Sequence, residues 1–304
     1  MNSMDTTCTT DSINLVQTSG EDLLPLQVWL TNHLPYSWKM SCMLRECLEG
    51  RWIGQTWWVL RTKDTILAVG EGLPDETSEI IDYMTKPRST CFYSPDPVHA
   101  EMLLTWPGFI DWSQPCIFEM LSIDNANIVD KICRINGSID PFPRKLHCTF
   151  VVADPGDVEL RPVPAGLHLR SLDPVNDPYI VMSTWKHSRK YADDFVRALV
   201  KCFPSVGLFD KDDNCVGYEL GLQDETVGLL YVMPEARGQG LAKVIISQLA
   251  HKYFEIGLPT SAVVISGNEA SLKLHQNLGF KVVCELEFVL HVPHDKFNGE
   301  FYGF

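Results

Sequence analysis

The spacing of apolar residues along the chain changes several times, and each change predicts a new element. Apolar positions three and four residues apart, typical of helices that face a core, occur in residues 23–30, 97–105, 126–135 and 241–249. Short runs rich in β-branched and aromatic residues predict strands at 55–61, 65–69, 147–153, 215–223, 226–233 and 262–266. Because strands and helices are mixed along the whole length, we expect an α/β protein.

Two stretches poor in apolar residues divide the chain. Residues 1–20 are rich in Thr, Ser, Asp and Asn, which predicts a mobile tail. Residues 154–166 contain three prolines and two glycines, which predicts a domain boundary. We therefore expect an N-terminal α/β domain at 21–160 and a second domain at 161–304, and a length of 304 residues agrees with two domains.

The most informative stretch is a predicted strand, turn and helix at residues 227–250. Pro234 and Glu235 end the strand, and Arg237-Gly238-Gln239-Gly240 precedes the helix. Two glycines at the start of a helix let backbone N–H groups approach a ligand, and the positive end of the helix dipole favours a negative charge there. A pyrophosphate suits this arrangement. The alternative is an ordinary helix start that happens to contain glycine.

The same stretch resembles a known superfamily. Arg237-x-x-Gly240-x-Ala242 matches the R/Q-x-x-G-x-G/A acyl-CoA signature of the GNAT N-acetyltransferases. Asn268-Glu269-Ala270-Ser271, followed by Leu278-Gly279-Phe280, is similar to the second motif of that superfamily. Tyr93-Ser94-Pro95-Asp96-Pro97 and Asp111-Trp112-Ser113-Gln114 extend the resemblance to the glycine N-acyltransferase family, weakly in the first half of the chain and strongly in the second.

The resemblance implies a fold and an activity. It implies a C-terminal GNAT fold, which is a mixed sheet with helices on both faces, preceded by a second α/β half that would be a degenerate unit of the same kind. It also implies an acyl-CoA-dependent N-acyltransferase that transfers an acetyl or acyl group to the amine of a small acceptor, such as glycine or another amino acid. A GNAT module that binds acyl-CoA without turnover, and a protein or peptide N-acetyltransferase, remain alternative interpretations.

The resemblance also assigns residues to the acyl-CoA. Val232 and Met233 would pair through the backbone with the pantetheine arm, and one of these amides would face the thioester oxygen. Asn268 and Ser271 would contact the distal arm, although a plain helix cap is the alternative role for Asn268. The pyrophosphate would bind the backbone N–H groups of Arg237, Gly238, Gln239, Gly240, Leu241 and Ala242.

Acylation of an amine by a thioester needs a proton acceptor for the amine and usually a proton donor for the thiolate. The resemblance implies a catalytic glutamate at the position that Thr226 occupies in this chain. Because Thr226 has no carboxylate, we expect the adjacent Glu225 to be the base. Glu219 and a chain of water molecules are alternatives, and Glu225 could instead be a polar turn residue. His275 replaces the tyrosine of the second GNAT motif and is expected as the general acid, with an exposed helix residue as the alternative.

Charge and composition limit the partners. A net charge of −14 argues against nucleic acid and anionic membrane surfaces, because both require a basic patch. The ten cysteines form no C-x-x-C pair, so no metal site is indicated. No apolar run is long enough to span a bilayer, and residues 1–22 resemble neither a secretory nor a mitochondrial signal. We therefore expect a cytoplasmic protein, whereas the family resemblance would imply mitochondria.

Overall fold

A computed structural model describes residues 12–19, 22–52, 54–73, 78–139, 145–186, 188 and 190–297. The first half of the chain contains the elements β1 (Asn14–Thr18), α1 (Leu23–Thr31), α2 (Trp38–Leu48), β2 (Trp57–Arg61), β3 (Ile66–Glu71), α3 (Ile81–Thr85), β4 (Arg88–Thr90), β5 (Phe92–Tyr93), α4 (Pro97–Leu104), β6 (Cys116–Leu121), α5 (Ile123–Ile135) and β7 (Lys145–Ala153).

The second half repeats much of this order. Its elements are β8 (Leu167–Arg170), α6 (Pro178–Thr184), α7 (Ala192–Cys202), β9 (Ser205–Asp210), β10 (Cys215–Gly221), β11 (Val227–Val232), α8 (Leu241–Glu255), β12 (Thr260–Ile265), α9 (Glu269–Gln276) and β13 (Lys281–His291). Each half begins with a strand and two helices, continues with an antiparallel run of strands, and ends with the series helix, strand, helix, strand. The short elements α3 and β4 interrupt this order in the first half. The predicted α/β class with a mixed sheet is confirmed.

Three sheets organise the described part of the chain. Two four-stranded sheets have the orders β1-β2-β3-β5 and β11-β10-β9-β8, and a five-stranded sheet has the order β12-β7-β13-β6-β4. In the five-stranded sheet, β7 pairs with β12 and β13 pairs with β6. Each half therefore ends in a strand that is inserted beside a strand of the other half, and β7 and β13 pair antiparallel at the centre. This shared sheet crosses the boundary that the sequence predicts near residue 160.

The predicted N-terminal tail is wrong for part of its length. Asn14–Thr18 form a strand that pairs antiparallel with Trp57–Arg61. Leu15 packs against the core of the first half, so this strand is held by backbone pairing and by apolar contact. Residues 1–11 lie outside the described residues.

Helices cover both faces of the sheet that carries β11. On one face, Ile245 and Leu249 of α8 are fully buried against the strands. On the other face, Val181 of α6 and Val196 of α7 are fully buried beneath the strands. This packing fixes β11 at the sheet edge and places the first turn of α8 close to its end.

Candidate active site

A gap opens between the strands β11 and β12. The structure describes one parallel bridge between them, at Thr226 and Ser261, and beyond it the two strands belong to different sheets. Parallel neighbours in one sheet would continue their hydrogen bonds along the strands. The edge of β11 is therefore open from this bridge towards Val232, which leaves room for an extended ligand to pair with it.

One backbone amide of this edge points into the gap. Met233 N–H donates to the carbonyl of Val216 at 2.9 Å, so Met233 belongs to the ladder with β10. Along an antiparallel strand, the backbone N–H and C=O groups of successive residues point alternately to the two sides of the strand. Val232 therefore directs these groups away from β10 and towards the gap. The Val232 carbonyl accepts from Arg237 Nε at 2.9 Å, which leaves the Val232 N–H for a ligand. Of the two residues expected to pair with the pantetheine arm, Val232 is therefore the one whose amide faces the gap, because β10 uses the amide of Met233. The pairing itself stays a prediction.

The strand is irregular in its middle. The register between β10 and β11 shifts between Tyr218 and Leu220, and Leu229 on β11 has a φ of 56°. An extra residue in one strand bends it and increases its twist. This bulge lies between the bridge at Thr226 and the amide of Val232, so it shapes the wall of the gap.

The glycine loop has the geometry of an anion site. Gly238 and Gly240 both have a φ of 78°, a conformation that favours glycine. A Cβ at either position would meet no atom within 4 Å outside the adjoining residues, so the loop borders open space. In the part of the chain that the structure describes, the N–H groups of Gly238, Gln239, Gly240, Leu241 and Ala242 have no acceptor. These donors lie at the start of a 15-residue helix, where the dipole favours an anion.

Arg237 braces this loop. Besides the bond from its Nε to Val232, its guanidinium lies 5.2 Å from the centre of the Tyr231 ring. The side chain is exposed, so the charge remains available beside the row of N–H groups. The loop thus combines free backbone donors with one local positive charge on a chain of net charge −14.

At the start of α9, Asn268 acts as a helix cap. Its Oδ1 accepts from the N–H of Ser271 at 3.2 Å. This bond satisfies one of the unpaired donors of the first turn. The capping alternative is therefore present in the structure, and a contact of Asn268 or Ser271 with a ligand stays a prediction.

His275 is poorly arranged to act as an acid. Its Nδ1 lies 2.9 Å from the carbonyl oxygen of Ser271, and a carbonyl can only accept, so the ring proton is on Nδ1. Burial lowers the pKa of His275, which keeps the ring neutral and Nε2 without a proton. The side chain is 4% exposed and meets the ring of Phe280 edge-on, with 5.0 Å between the ring centres. The general-acid role is therefore not supported, because the one proton of the neutral ring is bonded to the Ser271 carbonyl and Nε2 carries none.

Glu225 lies in the turn between β10 and β11, at the closed end of the gap. Its carbonyl accepts from Ser261 Oγ at 3.3 Å, beside the bridge that joins β11 to β12. Its carboxylate receives two bonds from Arg45 of α2, at 2.7 Å from Nε and 2.6 Å from Nη2. Burial raises the pKa of Glu225 to about 7, and Arg45 opposes this rise. No pattern in the sequence could have identified Arg45, because the two residues are 180 positions apart.

Helix α2 holds the rest of this turn as well. Trp38 Nε1 donates to the carbonyl of Asp224 at 3.2 Å, and Lys39 Nζ lies 3.7 Å from Asp224 Oδ2. Thr226, at the position where the family resemblance places a glutamate, donates from its Oγ1 to Asp224 Oδ1 at 2.6 Å. The closed end of the gap is therefore built by both halves of the chain.

Glu219 is the second carboxyl that the sequence suggested as a base. It lies on β10 opposite Val206, on the face that α8 covers, and is 1% exposed. Its Oε2 has no hydrogen-bond partner among the described residues, and burial raises its pKa well above the ordinary range. The raised pKa favours the protonated form of Glu219, which makes it a weaker candidate than Glu225 for accepting a proton.

The described residues contain neither a candidate metal site nor a helix suited to span a membrane. Within the ranges given above, no three His, Cys, Asp or Glu side chains form a group that could hold a metal ion. Among the helices that the structure describes, none has both the length and the apolar character needed to cross a bilayer.

Comparisons with known proteins identify the class of fold. The model of the FR47-like protein family matches residues 205–289, which include the gap, the glycine loop and α9. An X-ray structure of a Drosophila protein is 17% identical and superposes with a TM-score of 0.76, over 92% of this chain and 98% of its own. A tandem GNAT protein from the clavulanic acid biosynthesis pathway is 13% identical, with a TM-score of 0.51 over 92% and 98%. A putative acetyltransferase from Pyrococcus horikoshii is 11% identical, with a TM-score of 0.52 over 96% and 93%. The fold is that of the GNAT acetyltransferases.

Proposed function

We propose that this protein is an acyl-CoA-dependent N-acyltransferase that acts on the amine of a small acceptor, such as glycine or another amino acid. The observation that carries the proposal is the row of unpaired N–H groups from Gly238 to Ala242 beside the gap between β11 and β12. Similarity of fold to acetyltransferases supports the same class of reaction. The small acceptor rests on the resemblance to glycine N-acyltransferases.

The geometry suits the two parts of an acyl-CoA. The pyrophosphate would accept hydrogen bonds from the glycine loop, where the dipole of α8 and Arg237 both favour negative charge. The pantetheine arm would lie along β11 and bond to the N–H of Val232, as an added strand bonds to a sheet edge. The thioester would then lie deeper in the gap, towards the turn that carries Glu225.

Glu225 is the proton acceptor that we favour. A group with a pKa of about 7 is ionised in much of the protein population at neutral pH and still takes a proton from an amine. The Glu225 side chain is buried at the closed end of the gap. The amine proton would reach it either directly or through a bridging water molecule. Burial favours the neutral form of Glu219, and the ring proton of His275 is bonded to the Ser271 carbonyl, so the proposed proton transfer uses neither.

Thermal unfolding in the presence of ligands tests the cofactor. Acetyl-CoA, benzoyl-CoA, longer acyl-CoAs and free CoA are added in turn. A ligand at 100 times its dissociation constant adds about 2.7 kcal/mol of stability if it binds only the folded state. The variant Gly240→Asp, alone or with Arg237→Ala, places a negative charge in the loop and should abolish the stabilisation.

Gly257 provides a matched control. It has the same φ of 78° and an equally open environment, but it follows the other end of α8. The variant Gly257→Asp therefore carries the same backbone strain and should keep the response to acyl-CoA. Equal loss in both variants, or no stabilisation of the wild type by any of these ligands, would remove the acyl-CoA assignment.

Turnover separates the enzyme from its alternatives. Release of CoA is followed with glycine, with other amino acids and with basic peptides as acceptors. Release with amino acids agrees with the proposal, whereas release only with peptides indicates a peptide N-acetyltransferase. Binding without release for any amine indicates an acyl-CoA-binding module.

A further inference from the structure

A second cleft lies in the first half of the chain. The repeated order of elements makes β5, α4 and β6 the counterparts of β11, α8 and β12. The cleft lies between the segments that follow β5 and β6, with Tyr36 and Tyr93 on its wall, and has a volume of about 170 Å³. It therefore occupies the position in the first half that corresponds to the proposed acyl-CoA site in the second.

This cleft is unsuited to a pyrophosphate. At the start of α4, Asp96 Oδ1 accepts from the N–H of Val98 at 2.7 Å, so a carboxylate already occupies the helix end. Pro97 is the first helical residue and has no N–H to donate. The negative charge of the Asp96 carboxylate would repel a pyrophosphate at this helix start. We therefore expect the cleft to bind a ligand other than acyl-CoA.

The start of α5 provides the polar groups of the cleft. Ser122 caps this 13-residue helix through its Oγ, which accepts from the N–H of Asn125 at 3.3 Å. The N–H groups of Ile123 and Asp124 have no acceptor among the residues that the structure describes. These donors and the helix dipole favour a carboxylate.

Asn125 gives an independent indication of a ligand. It lines the cleft, is 2% exposed, and its buried Nδ2 has no acceptor within the described chain. A buried donor without a partner is unfavourable, so an acceptor supplied by a ligand would satisfy it. The Asn125 amide and the N–H groups at the start of α5 are all hydrogen-bond donors, so both favour an acceptor such as a carboxylate.

The remaining wall sets the charge and body of the ligand. Asp124 is the acidic side chain among the described residues that line the cleft, and it is exposed. A ligand with a carboxylate alone would be repelled by Asp124, whereas one that also carries an ammonium group would satisfy both. Tyr93 offers an aromatic surface whose ring packs 5.8 Å from Trp29 and 5.4 Å from His33. For comparison of size, a cavity of about 150 Å³ can hold benzene.

We propose that this cleft binds a free α-amino acid as its zwitterion. The carboxylate accepts from the N–H groups at the start of α5 and from Asn125. The ammonium group lies against Asp124, and the side chain packs on Tyr36 and Tyr93. This site is separate from the glycine loop, and the proposal does not depend on acyl transfer.

Titration calorimetry on the full chain without acyl-CoA tests the proposal. Phenylalanine is compared with 3-phenylpropionate, which lacks the amine, and with phenethylamine, which lacks the carboxylate; glycine and leucine test the contribution of the side chain. We expect phenylalanine to bind at least about tenfold more tightly than either analogue, which is the effect of about 1.4 kcal/mol. No binding of any amino acid by the wild type overturns the proposal.

The variant Ile123→Pro locates the site. Proline is favoured at the first helical position and removes only the N–H, and Ser122 already has the extended conformation, with φ −59° and ψ 154°, that a following proline requires. The control Ile123→Ala shortens the same side chain and keeps the N–H. We expect Ile123→Pro to weaken phenylalanine binding about tenfold relative to Ile123→Ala.

Asp124→Asn removes the partner of the ammonium group. It should weaken phenylalanine and leave 3-phenylpropionate unchanged or tighter. Binding that is indifferent to both Ile123→Pro and Asp124→Asn would place the amino acid elsewhere, such as near the closed end of the β11–β12 gap, and would overturn the proposal. Gly240→Asp should retain the binding, which distinguishes this result from failure of the acyl-CoA site.

Discussion

Arg45 in α2 and Glu225 in the turn between β10 and β11 form a two-bonded ion pair across the two halves of the chain, with N–O distances of 2.7 and 2.6 Å. Glu225 is 1% exposed, while the Arg45 side chain keeps 33% of its surface. The planar guanidinium matches the carboxylate with two parallel bonds. The first half of the chain thus controls the ionisation of a residue at the candidate site in the second.

Removing Arg45 should destabilise the protein in a pH-dependent way. Arg45→Met leaves a buried carboxylate without its partner, which costs about 3–5 kcal/mol at pH 8. At pH 5 the loss should be smaller, because Glu225 can then take up a proton. Urea unfolding at the two pH values measures the difference.

Two variants check the cause of that effect. In Arg45→Met combined with Glu225→Gln, the added change should recover most of the loss at pH 8. Lys131→Met breaks an exposed pair with Glu101 and should cost no more than about 1 kcal/mol. An equal loss at pH 5 and pH 8 in Arg45→Met would contradict the role of the ion pair.

The two candidate bases should respond differently to the same chemical change. Glu225→Gln should lower kcat/KM for the acyl transfer by a factor of about 100 to 10,000, because the proton acceptor is lost. The wild-type rate should rise with pH through about 7, and the variant should lack this rise. Glu219→Gln replaces a carboxyl whose raised pKa favours the neutral form, so it should change the rate and its pH dependence much less. The reverse pattern would assign the base to Glu219.

Glu71 should make the folded protein less stable as the pH rises. It is 1% exposed on β3, and burial raises its pKa to about 7 from 4.5. Between these values the folded state keeps the proton and the unfolded state loses it. The contribution to stability is therefore complete below about pH 4.5 and is lost by about pH 7, at up to about 1.4 kcal/mol per pH unit.

Urea unfolding at pH 5, 6 and 7 measures this slope. Glu71→Gln should make the slope shallower, because the amide does not titrate. The slope that remains is due to other buried carboxyls such as Glu225, whose pKa is also about 7. Glu159→Gln removes an acid whose side chain is 79% exposed and should leave the slope unchanged. A slope in Glu71→Gln equal to that of the wild type would contradict this role of Glu71.

Gly279, in the Leu278-Gly279-Phe280 stretch of the second motif, has a structural role. Its φ is 110°, and a Cβ there would lie 2.1 Å from the carbonyl oxygen of Asp157. Gly279→Ala must displace this backbone and should destabilise the protein by about 2–4 kcal/mol. Gly156→Ala has a comparable φ of 96° but an open environment, and should cost about 1–2 kcal/mol. Thermal unfolding that ranks the two variants equally would contradict the close contact.

The sequence predicts well what depends on neighbouring residues. The turn glycines and the apolar spacing around them predict β11, the loop and α8, because glycine conformation and helix periodicity are local properties. The hairpin expected from residues 55–61 and 65–69 is confirmed by the pairing of β2 with β3. The sequence does not predict β1, because Leu15 and Val16 are its only apolar residues and its partner strand lies about forty residues away.

The parts that the sequence does not predict depend on distant residues. Arg45, Trp38 and Lys39 carry no motif, and only the fold brings them to the turn at Asp224 and Glu225. The burial of His275 follows from the packing of α9 on Phe280, so its residue type alone suggested chemistry that its surroundings do not support. Side-chain identity indicates what a residue can do, and tertiary contacts decide whether it does so.

The exchange of β7 and β13 between the halves has a consequence for cooperativity. Two repeats joined by a linker would ordinarily melt in separate steps, each with its own midpoint. Here the last strand of each repeat pairs with strands of the other repeat. If one repeat unfolds, strands of the other repeat therefore lose hydrogen-bonded partners. A chain cleaved between Ala153 and Leu167 would yield two fragments that must recombine to fold, and the intact protein should unfold in a single transition despite its internal repetition.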